Sequence, residues 1–547
     1  MLVGFGAVVL LALLGATFLY LSWPRANLEP SSQGLVDLKS SGASGRVVSA
    51  IASYHGHQVT LADHGGSFVP LSPVPTATRV GVTVELRRPS WIGWLAGHTA
   101  KLTRQVTTPY ARLLTSVTTV PPGQAVYARF SKPVSEVSVT IASIDPIERL
   151  KTPSSRVEIV NQVKNGQAGI ASVAAAPYLW ESLPARQVRL TYFGTIGHTP
   201  MAIITPSTAG SALPASSPVK ITLSEPVASV FGKRTPSITP VINGAIVPKG
   251  TWSEPTAYSL KFTPDGPVFW PGEQVNMHLP AAVRLSNGAG TVSDPTSTVE
   301  LQGAPGSTLR LQQILAHLGY LPFNWIPSAP STGSTGTVTA SGNTSAGTIS
   351  AQASMMVSPP QGTFTWRWNF PSALTSLWQP GAYTVMTKGA VMAFEQVEGL
   401  NTVGRANPLL WPTLIHALLS GAHDPHPYAW IQVSMQLPER LWLWSNGQVV
   451  LTNLVNTGIP QTPTAPGTYP IYLRFPFHYM SGYNPNGTYY HDPVYWINYF
   501  NGSDAVHGFI RASYGFPQSL GCVELPVSVA AQVYPQVHIG TLVTVIP

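Results

Sequence analysis

The chain of 547 residues contains a single cysteine, Cys522. That excludes an intramolecular disulfide and any multi-cysteine metal site. The histidines match no metal-ligand spacing either, so no metal is expected. Charge is also scarce. Only 10% of residues are charged, against ~25% in ordinary domains, so solubility rests on Ser, Thr, Asn, Gln and Gly. The balance of 30 basic to 22 acidic residues leaves a net charge of +8. A basic surface favours anionic partners such as wall polymers or a membrane surface. Nucleic acid is not expected, because no dense Lys/Arg cluster or recognition motif is present.

What is abundant is 48 glycines and 52 prolines, spread along the chain as short strands and many turns require. Hydrophobic residues reach 44%, ample for several cores. The length predicts three to five domains, at roughly 100–200 residues each.

Residues 2–23 read LVGFGAVVLLALLGATFLYLSW with no charge. About 20 apolar residues span a bilayer, and Tyr20 and Trp23 sit where an interfacial aromatic belt falls. The expectation is an uncleaved transmembrane anchor over 1–23, preferred to a signal peptide because no small-x-small site follows. Residues 24–45 are polar and are expected to be a linker. From 46 to 303, Val- and Thr-rich runs such as GVTVEL and QVRLTYF are bounded by turn residues. They predict two immunoglobulin-like β-sandwich modules, 46–205 and 206–303. AVYARFSKPVSEVSV at 125–139 and PVKITLSEPVASVFG at 218–232 suggest a weak internal repeat.

The period then changes. Leu311, Ile314, Leu315 and Leu318 lie at i, i+3, i+4 and i+7, one face of a helix ended by Gly319. Helical spacing returns with Val391, Phe394 and Val397, and again with Leu414, Ile415 and Leu418 before Gly421, a C-cap candidate. Residues 328–363 between them are Ser/Thr/Gly/Ala-rich, as a flexible insertion would be. This stretch, 304–424, resembles the peptidoglycan-binding three-helix domain at Leu311, Gln312, Leu318, Gly319, Tyr320, Gly381, Tyr383, Thr387, Ala390, Val391 and Phe394. Glu395 stands where that family has Gln, and the insertion is a further departure.

Strands return from Ala429. Asn446-Gly447 is a hairpin signal, and Trp430, Trp442 and Trp444 read as sheet packing. Near the end come His507-Gly508 and then SLGCVELP, 519–526. A lone cysteine is most often a small buried hydrophobe. Here, however, a glycine precedes it and a histidine lies upstream. A thiol becomes nucleophilic when a base takes its proton, and backbone N–H groups can hold the oxyanion that follows. Gly521 allows a tight turn. A third group must orient the imidazole: a backbone carbonyl, notably that of Gly508, or Asp504.

These residues resemble the L,D-transpeptidase family (YkuD-like catalytic domain), β-rich cysteine enzymes of cell-wall cross-linking. The resemblance covers about 429–547 and includes TPTAPGTY at 462–469, the His-Gly pair, Ser-x-Gly-Cys-Val and Gly-Thr-x-Val at 540–543. It implies Cys522 as nucleophile, His507 as general base, the Gly508 carbonyl as orienter, and N–H groups of Leu520, Gly521 and Cys522 as the oxyanion hole. Ser519 becomes a local hydrogen-bonding residue. Tyr489 and Tyr490 end a flap-like NPNGTYY stretch, 484–490, that Tyr483 directly precedes, and all three become substrate-binding candidates. Two departures stand out: Leu520 replaces a motif histidine, and Glu524 replaces Asn or Arg. A carboxylate on the face of Cys522 raises the thiol pKa; Arg511 or Arg474 is the compensating cation. His478 and His491 read as surface loop histidines.

The implied reaction is transfer of a tetrapeptide stem from D-alanine to an amine acceptor, giving 3→3 cross-links, with no cofactor. The implied partners are peptidoglycan stem peptides and glycan, with the catalytic domain outside a membrane. The alternatives are a non-catalytic wall-binding protein with a degenerate site, an L,D-carboxypeptidase, or another cysteine peptidase acting on stem peptides.

Overall fold

The computed structural model describes Thr17, Tyr20 and residues 25–41, 45–141, 147–206, 212–287, 292–328 and 346–547. Apart from Thr17 and Tyr20, the expected membrane span lies outside the described residues. Among the described residues, no helix is long and apolar enough to cross a membrane. The architecture is mainly β and multidomain.

Residues 25–41 of the expected linker are instead the start of the first sheet. Arg25–Pro30 pairs antiparallel with Val36–Ser41, at one edge of a seven-stranded sheet that ends on Thr99–Thr107. Polar side chains face water, but Leu28, Leu35 and Val36 are buried, and pairing satisfies the backbone.

A second, five-stranded sheet is built from strands between Val117 and Gly194, and a third sheet from strands between Met201 and Gln302. The span expected as one module, 46–205, therefore divides between two large sheets, each with its own core. One is built on Val80, Val82 and Phe68; the other on Val137, Val173 and Leu190. The suggested repeat is not a structural one. Residues 126–140 form one long strand whose Lys132-Pro133 sits at a register shift, where proline is tolerated. In the second copy, Pro226 instead opens the short helix Val227–Val230.

Helices follow, the longer ones being α1 Thr308–His317, α2 Ala346–Val357, α3 Val385–Val397 and α4 Leu410–Ser420. Ser307 caps α1, its Oγ accepting the Arg310 N–H. Leu311, Ile314, Leu315 and Leu318 are buried as their spacing requires. Gly421, at φ 71°, closes α4. Val397 departs from the expected face and is exposed. Part of the expected insertion is ordered structure: α2 buries Ala353 and Met356 in the helical core, and Gly362–Trp366 pairs with Phe323–Pro327. Residues 329–345 lie outside the described residues.

Several residues of the three-helix resemblance serve internal packing. The Gln312 amide donates to the Gln379 and Ala382 carbonyls and to Thr387 Oγ1, and accepts from the Gly381 N–H. Glu395 is buried, accepts the Gly404 N–H at 2.7 Å, and has its pKa raised by that burial.

The C-terminal region is two sheets. Its strands are β1 Ala429–Ser434, β2 Arg440–Ser445, β3 Gln448–Leu454, β4 Gly467–Pro470, β5 Leu473–Tyr483, β6 Tyr489–Asn501, β7 Asp504–Gly508, β8 Val523–Leu525 and β9 Leu542–Ile546. One sheet has the order β3-β2-β1-β9-β4, the other β5-β6-β7-β8. Asn446 and Gly447 both take positive φ, 47° and 76°, as a type I′ hairpin needs. Trp430 pairs in register with Trp444. Trp430 and Leu542 belong to the same buried cluster as Leu311, Val391 and Trp411, so the helical layer and the first sheet share one core. Their main chains touch there: a Cβ on Gly389 of α3 would stand 2.5 Å from the Gly540 carbonyl oxygen.

Candidate active site

The second sheet sets the site. β7 and β8 run parallel, with His507 opposite Glu524. Side chains in register share a face, and Cys522, two residues before Glu524, shares it as well. All three line one cavity of about 480 Å³, together with Leu520, Arg511, Tyr490, Met480 and Asp492. A β-strand, a glycine turn and a second strand thus bring the single thiol and a buried imidazole to one space.

The turn before Cys522 is tightly made. Gly521 has φ 120°, and a Cβ there would stand 2.6 Å from Asp504 Oδ1, so glycine is required. Ser519 Oγ donates to the Cys522 carbonyl at 2.6 Å and accepts the Gly521 N–H at 3.2 Å. Ser519 is therefore the local hydrogen-bonding residue expected of it. The Gly521 N–H, however, is turned onto Ser519 and away from the oxyanion role expected for it. Gly508 is hemmed in by α5, Val527–Val533: a Cβ there would stand 3.0 Å from Ala530 Cβ and from Val527 Cα.

Cys522 is half-buried, and its Sγ makes a long contact of 3.6 Å to the Ser503 carbonyl. Burial pushes the thiol pKa up to about 12; the Asp504 and Glu524 charges add to the rise, and the Ala505 backbone donor opposes it. His507 is buried. Burial lowers its pKa, while Glu524 pulls the other way. The resting pair is therefore a neutral thiol and a neutral imidazole. The Gly508 carbonyl also favours the protonated ring, but Nδ1 has no partner in hydrogen-bonding geometry. The Gly508 carbonyl therefore acts on the ring from outside full hydrogen-bond geometry. Asp504 does not replace it: its Oδ2 takes the Ala465 N–H at 3.4 Å, and burial raises its pKa.

Glu524 is matched by a cation. Arg511 Nε and Nη2 reach its two carboxylate oxygens, each at 2.8 Å, a fork-shaped pairing that keeps the guanidinium charged. Arg474 is engaged elsewhere, donating to Asn498 Oδ1 and to the Tyr534 carbonyl. Of the two expected cations, Arg511 is the one that compensates.

The tyrosines divide. Tyr490 lines the cavity, whereas Tyr483 and Tyr489 turn to the opposite side of the β5–β6 hairpin and stand in solvent. The reason is strand alternation: neighbours on a strand point to opposite faces. The same rule could have found Met480 and Asp492, which the sequence reading missed; both share the parity of Tyr490.

Residues 428–545 match the YkuD family, the L,D-transpeptidase catalytic domain. This region is an L,D-transpeptidase catalytic domain. Among solved structures, the chain is similar to the catalytic domain of an E. faecium L,D-transpeptidase, with 27% identity over 21% of this chain and 95% of that one, at a TM-score of 0.20. An L,D-transpeptidase from Mycobacterium smegmatis matches with 14% identity over 63% and 97%, TM-score 0.21. One from Stackebrandtia nassauensis matches with 21% identity over 32% and 88%, TM-score 0.18. No curated protein matches the chain.

Proposed function

We propose that this L,D-transpeptidase domain joins peptidoglycan stems by 3→3 cross-links, with Cys522 as nucleophile and His507 as general base. The observation that carries the reading is the shared cavity of the chain's one thiol and a buried, neutral imidazole. A thiol at about 12 does not ionise beforehand, so the proton leaves Sγ for the imidazole as sulfur attacks. The carbonyl attacked is that of the stem's third residue. Its C–N bond to D-alanine breaks, and the amine departs with the imidazolium proton. The thioester left on Cys522 is then attacked by an amine of a neighbouring stem, which restores the thiol and releases the cross-linked product. Water in that step would give carboxypeptidase activity. Leu520 and Cys522 supply the candidate N–H donors for the oxyanion. No cofactor takes part in this scheme. Such a substrate lies outside the cytoplasm, so the reading includes an anchor over residues 1–23 and an extracytoplasmic body, its β modules acting as a stalk and its helical layer facing the wall polymer.

A second reading, a wall-binding protein with a silent site, is favoured by the elevated thiol and by Glu524 beside it. Intact mass after incubation with a carbapenem separates the two. Acyl transfer predicts one covalent adduct on the purified protein, none on Cys522→Ala, and at least a hundredfold slower formation on His507→Ala. Because burial lowers the His507 pKa, its base form persists at neutral pH. Adduct formation is expected to stay level there and to fall only below the ordinary imidazole value of about 6.5. A folded wild-type protein that stays unmodified at every pH decides for the silent site.

A further inference from the structure

The hairpin of β5 and β6 has two faces, and only one belongs to the cavity. Met480, Tyr490 and Asp492 turn inward; the alternate residues turn away. In register across the strands, Phe477 lies opposite Tyr495, Tyr479 opposite Pro493, and Tyr483 opposite Tyr489. Phe477, Tyr479, Tyr483 and Tyr489 are 44%, 47%, 72% and 61% exposed, so this is a continuous open surface.

Its rings hold one another in place. The Tyr479 and His491 rings stack with centroids 4.6 Å apart and planes 2° from parallel. Ser481 Oγ fixes the His491 ring through Nδ1 at 2.6 Å. Phe477 packs against Tyr479 and Tyr495 at 5.3 and 5.2 Å, and Tyr483 meets Tyr489 edge-on at 5.5 Å. An exposed patch of this kind marks an interaction site.

Charge decides what fits. The outward positions of both strands between Phe477 and Tyr495 carry no Lys, Arg, Asp or Glu, so a polyanion or an ionic peptide finds no counter-charge there. The surface instead offers flat rings edged by hydroxyls and an imidazole. A neutral sugar chain complements it: the C–H face of a pyranose lies on an aromatic ring, and its hydroxyls reach the tyrosine, serine and histidine polar groups. We propose that the outward face of β5–β6 is a docking platform for the glycan strand of peptidoglycan. The inference rests on the peptidoglycan reading above. A strand whose stem peptide enters the cavity passes close to its rim, and this hairpin separates the cavity from the platform. Continuity with the cavity favours the glycan over a lipid surface, which would need no such neighbour.

The test is calorimetric titration of the full chain with chitohexaose, a neutral N-acetylglucosamine oligomer without peptide. Saturable binding is expected, weakened at least about tenfold by Phe477→Ser with Tyr479→Ser, and kept within about twofold by Tyr479→Phe, which retains the ring. Tyr483→Ser, at the open end of the hairpin, gives a second variant should the paired substitution unfold the protein, as its melting curve would reveal. Absence of binding by the wild type, equal binding by the ring-deleted variants, or binding to phosphatidylcholine vesicles in place of the sugar overturns the proposal. Carbapenem adduct formation on the same wild-type preparation keeps the two readings apart. An adduct without sugar binding removes the platform and leaves the catalysis; sugar binding without an adduct does the reverse.

Discussion

Two joints in this chain are built differently. Where α3 meets the catalytic sheet, Gly389 and Gly540 bring main chain against main chain, and Trp430 and Leu542 enter the helical core. Where the second β sheet meets the third, the contact is a small side-chain cluster of Ala168, Phe193, Met201 and Ile203. A side-chain joint relaxes when a methyl group is removed. A backbone joint cannot, because neither chain has a rotamer to change. The helical layer is therefore part of the catalytic body, whereas the β modules are joined to each other by a contact that can give.

Three substitutions probe that contrast. The largest effect is expected from Trp430→Ala, which empties the centre of the shared core and removes the Nε1–H bond to Thr544 Oγ1 at 2.9 Å. It should cost about 3–5 kcal/mol and lower the unfolding transition of the helical layer and the catalytic sheet together. Separate transitions for the two would break the comparison. Next is Gly540→Ala, at φ 89° and with a Cβ directed at the Gly389 carbonyl. A loss of about 2–4 kcal/mol in chemical denaturation is expected, and a neutral result would show that the joint yields. The smallest is Ile203→Val at the β joint, about 0.5–1.5 kcal/mol. A larger loss there would put both joints in one class.

Much of the site was legible because its signals are local. Cys522 after a glycine and His507 before one are strand-end residues, and two adjacent strands suffice to bring them to one cavity. Glu524 was legible by parity with Cys522, and Arg511 by charge. What the sequence hid depends on distant partners. Arg25–Pro30 and Val36–Ser41 look like a linker until each supplies the other's hydrogen bonds. The helix Ala346–Val357 has the composition of a loop and buries Ala353 and Met356 only because a helical core is present to receive them. The boundary between the first two β sheets is set by strand pairing, which leaves no compositional mark.

The two-faced hairpin also constrains how such a sequence can drift. Along Tyr479–Tyr483 and Tyr489–Asp492 its even-numbered residues face the cavity side and its odd-numbered ones solvent, so the two sets can vary independently by substitution. They cannot vary independently by insertion or deletion. One residue gained in β5 or β6 would carry Tyr479 or His491 into the cavity and expel Met480 or Asp492 from it. Length changes in this ribbon should be tolerated in pairs, or confined to the turn at Pro485 to Gly487.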